Sequence, residues 1–153
     1  MNQWLYSAKG AVDKLPCVFC DIVKRKTRAH IIYEDEKFIA ILDKYPVSVG
    51  HTLVLPRDHA ERVAVLSEDD FSALFMRVRA LNHTITSRLG ASGSHISIND
   101  GTAANQLIPH VHVHIIPRSE NDGVSFMARK HPREEEMDGI LARLEVKYMK
   151  VAA

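Results

Sequence analysis

The segment His110–Ile116 constrains the fold of this chain most, because histidines alternate with apolar residues along it. Strict alternation is typical of a β-strand with one face in a hydrophobic core, since successive side chains point to opposite faces. The sequence therefore predicts a strand over residues 111–116. Its core-facing side chains would be Val111, Val113 and Ile115, and its other face would carry His110, His112 and His114. Imidazole is a nucleophile, a general base and a metal ligand near neutral pH, so we expect the functional site on that face.

Short runs of β-branched and aromatic residues predict the remaining strands. Residues 31–33 and 38–42 are separated by acidic turn residues, which is typical of a hairpin. A strand over residues 51–55 is bounded by Gly50 and Pro56, and residues 95–99 alternate like a strand. Pro109 cannot donate to a sheet ladder, so we expect it at the start of the histidine strand.

One long helix is predicted over residues 67–89, with a short one near residues 17–24. Ser67 and Asp70 have the spacing of a capping box, and Gly90 supplies a stop. Pro132 begins a final helix that we expect to extend to about Lys150. The chain has too few βαβ units for a doubly wound sheet. We therefore predict an α+β fold with an antiparallel sheet of about five strands and two main helices.

The composition narrows the classes of function. The chain of 153 residues carries 20 Lys and Arg against 19 Asp and Glu, and this near-neutral balance argues against a dedicated nucleic-acid binder. No segment approaches the roughly 20 apolar residues that span a bilayer, so we expect no membrane association. The first residues lack the apolar run of a signal peptide, so we expect a cytoplasmic protein.

The segment Asn99–Gln106 precedes the histidine strand and consists of small and polar residues. Such a loop aims backbone N–H groups and side-chain amides at an anion, although by itself it is more often only a turn. Next to the histidine strand it predicts a phosphate cradle.

Cys17 and Cys20 are the only cysteines in the chain, and two residues separate them. A disulfide between them would close too short a loop to stabilise the fold, so a metal half-site or a redox pair is favoured. Two thiolates suit Zn²⁺, which takes about four ligands in a structural site.

Several motifs, in order along the chain, resemble the histidine triad (HIT) family of nucleotide hydrolases and transferases. The histidine strand is similar to the signature of that family, and the further matching segments are Cys17–Val23, Tyr33–Glu36, Ile41–Asp43 and Gly50–His59. The resemblance covers residues 17–120, which we expect to form the domain core. Residues 1–16 would be an N-terminal arm, and residues 121–153 would be a C-terminal segment of the same domain that carries the final helix.

The resemblance implies roles for individual residues. His112 would attack the α-phosphorus of a nucleotide and form a nucleotidyl-histidine intermediate that water then cleaves. The other histidines of the catalytic triad would be His110 and His114. Asp43 would hold the ribose hydroxyls. The phosphate and leaving group would contact Asn99, Gln106 and His114, and the walls around the base would be Phe19, Ile22 and Leu42.

The chain departs from the family pattern beside the phosphate cradle. Asn105 stands where glycine is usual, and asparagine tolerates a left-handed backbone better than most residues, so the turn can survive. Leu107 stands where serine or threonine is usual, which removes a hydroxyl but keeps the backbone N–H. We expect both residues to line the nucleotide site.

The resemblance to zinc-bearing members implies that His59 and His110 complete a metal site with Cys17 and Cys20. The zinc would be structural, because His112 carries out the chemistry. A redox role for the cysteine pair finds no further support in the sequence.

The resemblance also implies a homodimer across the long helix and an edge strand, which would extend the sheet to about ten strands. The expected substrate is a purine nucleotide, either a dinucleoside polyphosphate such as Ap4A or a nucleoside phosphoramidate. The ending Ile116–Arg118 slightly favours the polyphosphate branch, since the phosphoramidase branch more often ends in Gly-Gly-Arg. The alternatives are a nucleotidyltransferase or phosphorylase, and a zinc-stabilised nucleotide-binding module with little turnover.

Overall fold

The computed structural model of the protein describes residues 17–125 and Glu135. The predicted N-terminal arm lies outside the described residues, and so does the predicted final helix apart from Glu135. The described chain forms the helices α1 (Val18–Val23) and α2 (Glu68–Leu89), with short 3₁₀ turns at Val63–Val65 and Thr102–Ala104. Its strands are β1 (Ile31–Glu34), β2 (Phe38–Leu42), β3 (Thr52–Pro56), β4 (Gly93–Ile98) and β5 (Val113–Arg118).

The five strands form one antiparallel sheet in the order β1-β2-β3-β5-β4, which confirms the predicted α+β fold. The histidine strand β5 lies between β3 and β4, so its backbone is paired on both sides. His114 is opposite Leu53 on one neighbour and Ser97 on the other. This double pairing fixes the register of β5, and a shift by one residue would move its histidines to the opposite face.

The long helix α2 covers one face of the sheet. The Ser67 hydroxyl oxygen accepts the Asp70 N–H at 3.1 Å and caps its start, and Gly90 ends it with a left-handed φ of 63°. Its buried side chains pack on the sheet residues that alternate onto the same face, which are Phe38, Ala40, Val54, Val113 and Ile115.

A second apolar cluster covers the opposite face under the short helix α1. Phe19 and Ile22 of α1 are buried there on the other alternating set of sheet residues, which are Ile39, Ile41, Leu53 and Leu55. The histidines of the triad lie on this side, because Val111, Val113 and Ile115 all join the cluster against α2. The predicted alternation is therefore confirmed, and it sets the functional face beside α1.

The start of the histidine strand differs from the prediction. The strand begins at Val113 rather than Val111, so His110 and His112 precede it. Pro109 lies further back, in the loop, and not at the strand start. The reason is a competing hydrogen bond, since the N–H of Val111 donates to the carbonyl of Ala60 at 2.6 Å instead of joining the ladder.

Among the helices described here, none has both the length and the apolar character to cross a membrane.

Candidate functional site

Four potential metal ligands converge between α1, the loop after β3 and the segment before β5. Their ligand atoms all lie within 4.8 Å of one another, and the residues are Cys17, Cys20, His59 and His110. His110 Nδ1 is 3.5 Å from the Cys17 sulfur and 3.7 Å from the Cys20 sulfur, and His59 Nδ1 is 3.3 Å from the Cys20 sulfur. The predicted ligand set is thus brought together from segments far apart in the chain.

The geometry and protonation of this cluster fit Zn²⁺. In a tetrahedral site a sulfur about 2.3 Å and a nitrogen about 2.0 Å from zinc lie roughly 3.5 Å apart, which matches the observed sulfur–nitrogen separations. The His110 Nε2–H donates to the Pro56 carbonyl at 2.8 Å, so its Nδ1 keeps a lone pair for a metal. Burial lowers the pKa of His110 to about 4, which keeps the imidazole neutral as a ligand must be.

His112 is held as a neutral imidazole with one free nitrogen. Its Nδ1 is 2.7 Å from the carbonyl oxygen of His110, which can only accept, so the proton is on Nδ1. Nε2 therefore carries the lone pair. Burial lowers the pKa of His112, although the hydrogen bond to His110 and the nearby Asp43 oppose the shift. A neutral, oriented imidazole with an unprotonated Nε2 is the form that acts as a nucleophile.

A chain of hydrogen bonds fixes the protonation of His114 in the same way. The backbone N–H of Val47 donates to His51 Nδ1 at 3.1 Å, so the proton of His51 is on Nε2. That proton is donated to His114 Nδ1 at 2.9 Å, which leaves the His114 proton on Nε2. Burial, followed by the neighbouring His112 and His51, lowers the pKa of His114 to about 4.

The His114 Nε2–H is a buried donor that no atom in the described part of the chain accepts. An unsatisfied buried donor costs about 1–3 kcal/mol, and such groups in native proteins call for an explanation. The ring centroids of His112 and His114 are 5.0 Å apart, so the ring with the free donor and the ring with the free acceptor are neighbours. This pair can bind and attack one electrophilic centre that carries a negatively charged oxygen.

His51 bonds His114 in this site, but no sequence pattern had identified it as a functional residue. It is buried, and its Nε2 is also 3.6 Å from a carboxylate oxygen of Asp43. The only available signal was its place in a matched segment next to Gly50. Its function in the hydrogen-bond chain depends on the tertiary contact between the loop before β3 and strand β5.

The loop between β4 and β5 is shaped by residues that were expected to contact phosphate. Asn105 has a left-handed φ of 62°, as expected for a residue that replaces glycine, and its carbonyl accepts the side-chain amide of Asn99 at 3.2 Å. Gln106 is buried, and both ends of its amide are used: Oε1 accepts the Gly101 N–H at 2.6 Å and Nε2 donates to the Glu61 carbonyl at 2.8 Å. Its side chain thus holds the loop closed, while Leu107 is 91% exposed beside it.

Of the residues expected around the base, Phe19 and Ile22 lie on the α1 side of the sheet, whereas Leu42 follows Ile41 in β2 and therefore alternates to the opposite face. Phe19 is buried and contacts the His112 ring edge-on at 5.1 Å, and Ile22 is buried next to it in the core cluster under α1. Leu42 is 38% exposed at the end of β2. Asp43 follows it, and its Oδ1 accepts the Tyr45 N–H at 2.8 Å.

Comparisons with known proteins agree with this geometry. The family model described as "HIT domain" matches residues 24–121. A crystal structure of a zinc-bound histidine triad family protein from Mycobacterium smegmatis is similar to the chain, with a TM-score of 0.69 and 38% identity over 84% of this chain and 94% of that one. A hypothetical histidine triad nucleotide-binding protein from Sulfolobus tokodaii gives a TM-score of 0.67 and 42% identity over 82% and 87%.

A curated relative with a named activity is adenylylsulfatase HINT3 of Arabidopsis thaliana. It is 35% identical over 106 residues, which cover 69% of this chain and 54% of that protein.

Proposed function

Because the chain belongs to the HIT domain family, we propose that it is a nucleotide hydrolase that cleaves its substrate at the α-phosphate through a nucleotidyl-histidine intermediate on His112. The observation that carries the proposal is the arrangement of His112 and His114. His112 presents a lone pair on Nε2, and His114 presents a buried proton that no described residue accepts. The two histidines therefore match an electrophilic phosphorus and one of its oxygens.

In the first step, His112 Nε2 attacks the α-phosphorus. A phosphorus–nitrogen bond forms, and the bond to the leaving group breaks, so the leaving group departs with the electron pair. Positive charge develops on the imidazole, and the His110 carbonyl stabilises it through the Nδ1–H. His114 donates its Nε2–H to a phosphate or leaving-group oxygen as negative charge increases there.

In the second step, water attacks the same phosphorus. The phosphorus–nitrogen bond breaks and its electron pair returns to His112 Nε2, while the attacking water loses one proton to solvent and a nucleoside monophosphate leaves. The His51–His114 hydrogen bond keeps the His114 proton on Nε2 during both steps, because His51 cannot accept at its own protonated Nε2.

The binding residues follow from the same site. We propose that Asp43 accepts the ribose hydroxyls and that Phe19 and Ile22 line the base. The loop 99–107 would offer backbone N–H groups and the Asn99 and Asn105 amides to the phosphate. Gln106 would act by holding that loop through its bonds to the Gly101 N–H and the Glu61 carbonyl.

A bound Zn²⁺ would contribute structure, as a doubly charged cross-link between two thiolates and two imidazoles. The residues that would hold it are Cys17, Cys20, His59 and His110. His110 would thus belong to the triad through its backbone carbonyl and to the metal site through its ring.

The substrate is tested by following AMP release from Ap4A and adenosine phosphoramidate, with adenylyl sulfate added because of the Arabidopsis relative. We expect AMP from at least one substrate and an adduct that is trapped by an alkaline denaturing quench, because a phosphorus–nitrogen bond to imidazole is labile in acid. His112→Ala should abolish both, whereas His83→Ala, which removes an exposed histidine on α2, should leave both unchanged. AMP release that survives His112→Ala would refute the covalent mechanism.

The same assay decides between the alternatives. Added inorganic phosphate would convert AMP release into ADP release if the protein is a phosphorylase. AMP binding without release from any of the three substrates would instead favour a nucleotide-binding module with little turnover.

We further propose that the protein is a homodimer that pairs strand β4 with β4 of a second copy. Within the described sheet, β4 is an edge strand, and its Ile96 is 42% exposed. Sedimentation equilibrium should give a dimer mass, and Ile96→Lys should shift it toward monomer. A monomer mass for the unmodified chain at micromolar concentration would refute this assembly.

A further inference from the structure

His110 belongs to two centres at once. Its Nδ1 lies 3.5 Å and 3.7 Å from the sulfurs of Cys17 and Cys20, on the metal side. Its backbone carbonyl accepts the Nδ1–H of His112 at 2.7 Å, on the nucleotide side. A change in the position of His110 must therefore move the acceptor that orients His112.

Phe19 connects the same two centres through α1. It lies in the chain between Cys17 and Cys20, and its ring contacts His110 at 5.8 Å and His112 at 5.1 Å, edge-on in both cases. The helix has only 6 residues, and a helix this short is not stable by itself. Its position against His112 therefore depends on the anchoring of its cysteines and on the burial of its apolar side chains.

The cysteine anchor is strong only with a metal. A thiol is a weak hydrogen-bond donor, whereas four ligands on one zinc ion are held at fixed distances. Without the metal, His110 would keep its hydrogen bond to the Pro56 carbonyl, but α1 would lose its link to that ring. Phe19 would then be held against His112 only by the burial of the apolar side chains of α1.

We infer that metal occupancy controls the nucleophile, because the metal site orients His112 through the His110 carbonyl and the Phe19 ring. The inference rests on the proposed function of His112. His110 and Phe19 act as positioning residues in this coupling. Since coupling between two binding sites is reciprocal, a nucleotide beside His112 must change the metal affinity by the same factor by which the metal changes the nucleotide affinity.

The first test uses the protein loaded with Co²⁺, whose visible absorption reports the ligand geometry. Titration with AMP should shift the cobalt bands, and saturating AMP should tighten cobalt binding about fivefold or more. His83→Ala, far from both centres in sequence and exposed, should give the same response. Phe19→Leu should still bind cobalt but should show a smaller shift.

AMP binding is measured by calorimetry on the same samples, which separates two kinds of failure. If AMP binds and turnover is normal but the cobalt bands and cobalt affinity do not change, the coupling is refuted and the proposed function stands. If AMP does not bind and no substrate is turned over, the proposed function fails and the coupling fails with it.

The second test uses the double variant Cys17→Ser, Cys20→Ser, which cannot bind the metal through thiolates. AMP affinity should fall about fivefold. The single-turnover rate of adduct formation should fall further, about tenfold or more, because only that step depends on the orientation of His112 Nε2 toward the phosphorus. Adduct formation at the normal rate in a folded variant would overturn the inference. If circular dichroism shows that the variant is unfolded, the cobalt titration decides the question by itself.

Discussion

Replacement of Gln106 by leucine tests whether this side chain holds the loop or contacts the ligand. Gln106 is 7% exposed, and its amide bonds the Gly101 N–H at 2.6 Å and the Glu61 carbonyl at 2.8 Å. In Gln106→Leu the side chain keeps roughly the same volume, but both hydrogen bonds are lost. The buried Gly101 N–H would be left without this acceptor, whereas the carbonyl of the exposed Glu61 can turn to water.

The cost of Gln106→Leu can be worked from those two bonds. A buried donor left unsatisfied costs about 1–3 kcal/mol, and the lost bond to a solvent-accessible carbonyl costs about 0.5–1.5 kcal/mol. We therefore expect the free energy of unfolding to fall by about 2–4 kcal/mol. For a protein of this size the melting temperature should fall by about 4–16 °C.

The assay is thermal unfolding followed by circular dichroism, at fixed protein concentration and saturating zinc. The matched control is Leu107→Ala, because Leu107 is the next residue and 91% exposed, and it should change stability by less than about 0.5 kcal/mol. AMP release is measured in parallel. A Gln106→Leu protein that melts like the unmodified chain but has lost AMP release would refute the reasoning, since the side chain would then act on the ligand.

Three further predictions concern the same part of the molecule. Asn105→Ala should lower the free energy of unfolding by about 1–2 kcal/mol, because the backbone is left-handed at this residue. Asn105→Gly should be nearly neutral. Equal midpoints of urea denaturation for the two variants would contradict this. Gly50→Ala should lower the free energy of unfolding by about 1–2 kcal/mol, since φ is 84° and the new Cβ would meet the movable Leu89 side chain. Gly93→Ala should not destabilise the fold, because the space around a Cβ at that position is open. The acid limb of kcat/KM should have its midpoint below pH 6.5, because protonation inactivates the nucleophile and burial lowers the pKa of His112 from its usual 6.5. An acid limb above pH 7 at full zinc occupancy would refute that assignment.

Several features could be predicted because they depend on local pattern. The alternation around His112 predicted which face of the strand carries the histidines. Val113 and Ile115, which alternate to the opposite face, are packed against α2. Ser67 and Gly90 bounded the long helix as local capping chemistry requires. The cysteine pair was recognised as a metal half-site from its spacing, whereas the resemblance to zinc-bearing family members supplied His59 and His110.

Other features depend on contacts between distant segments, so the sequence could not give them. The strand start at Val113 follows from the bond between Val111 and Ala60, and no local pattern around Pro109 reveals that partner. The bonds of the Gln106 amide to the Gly101 N–H and the Glu61 carbonyl are a second example, because no local pattern reveals the distant Glu61 as a partner.

The sequence by itself determined the order of the elements and the face of the histidines, because these follow from periodicity, and its resemblance to a known family identified the metal ligands. Only the tertiary structure decided the protonation of the site. A histidine has two nitrogens, and which one carries the proton depends on the group that each nitrogen meets in the folded chain. The Val47 N–H and the His110 carbonyl make that choice for His51 and His112, and they do so only after folding has brought the segments together.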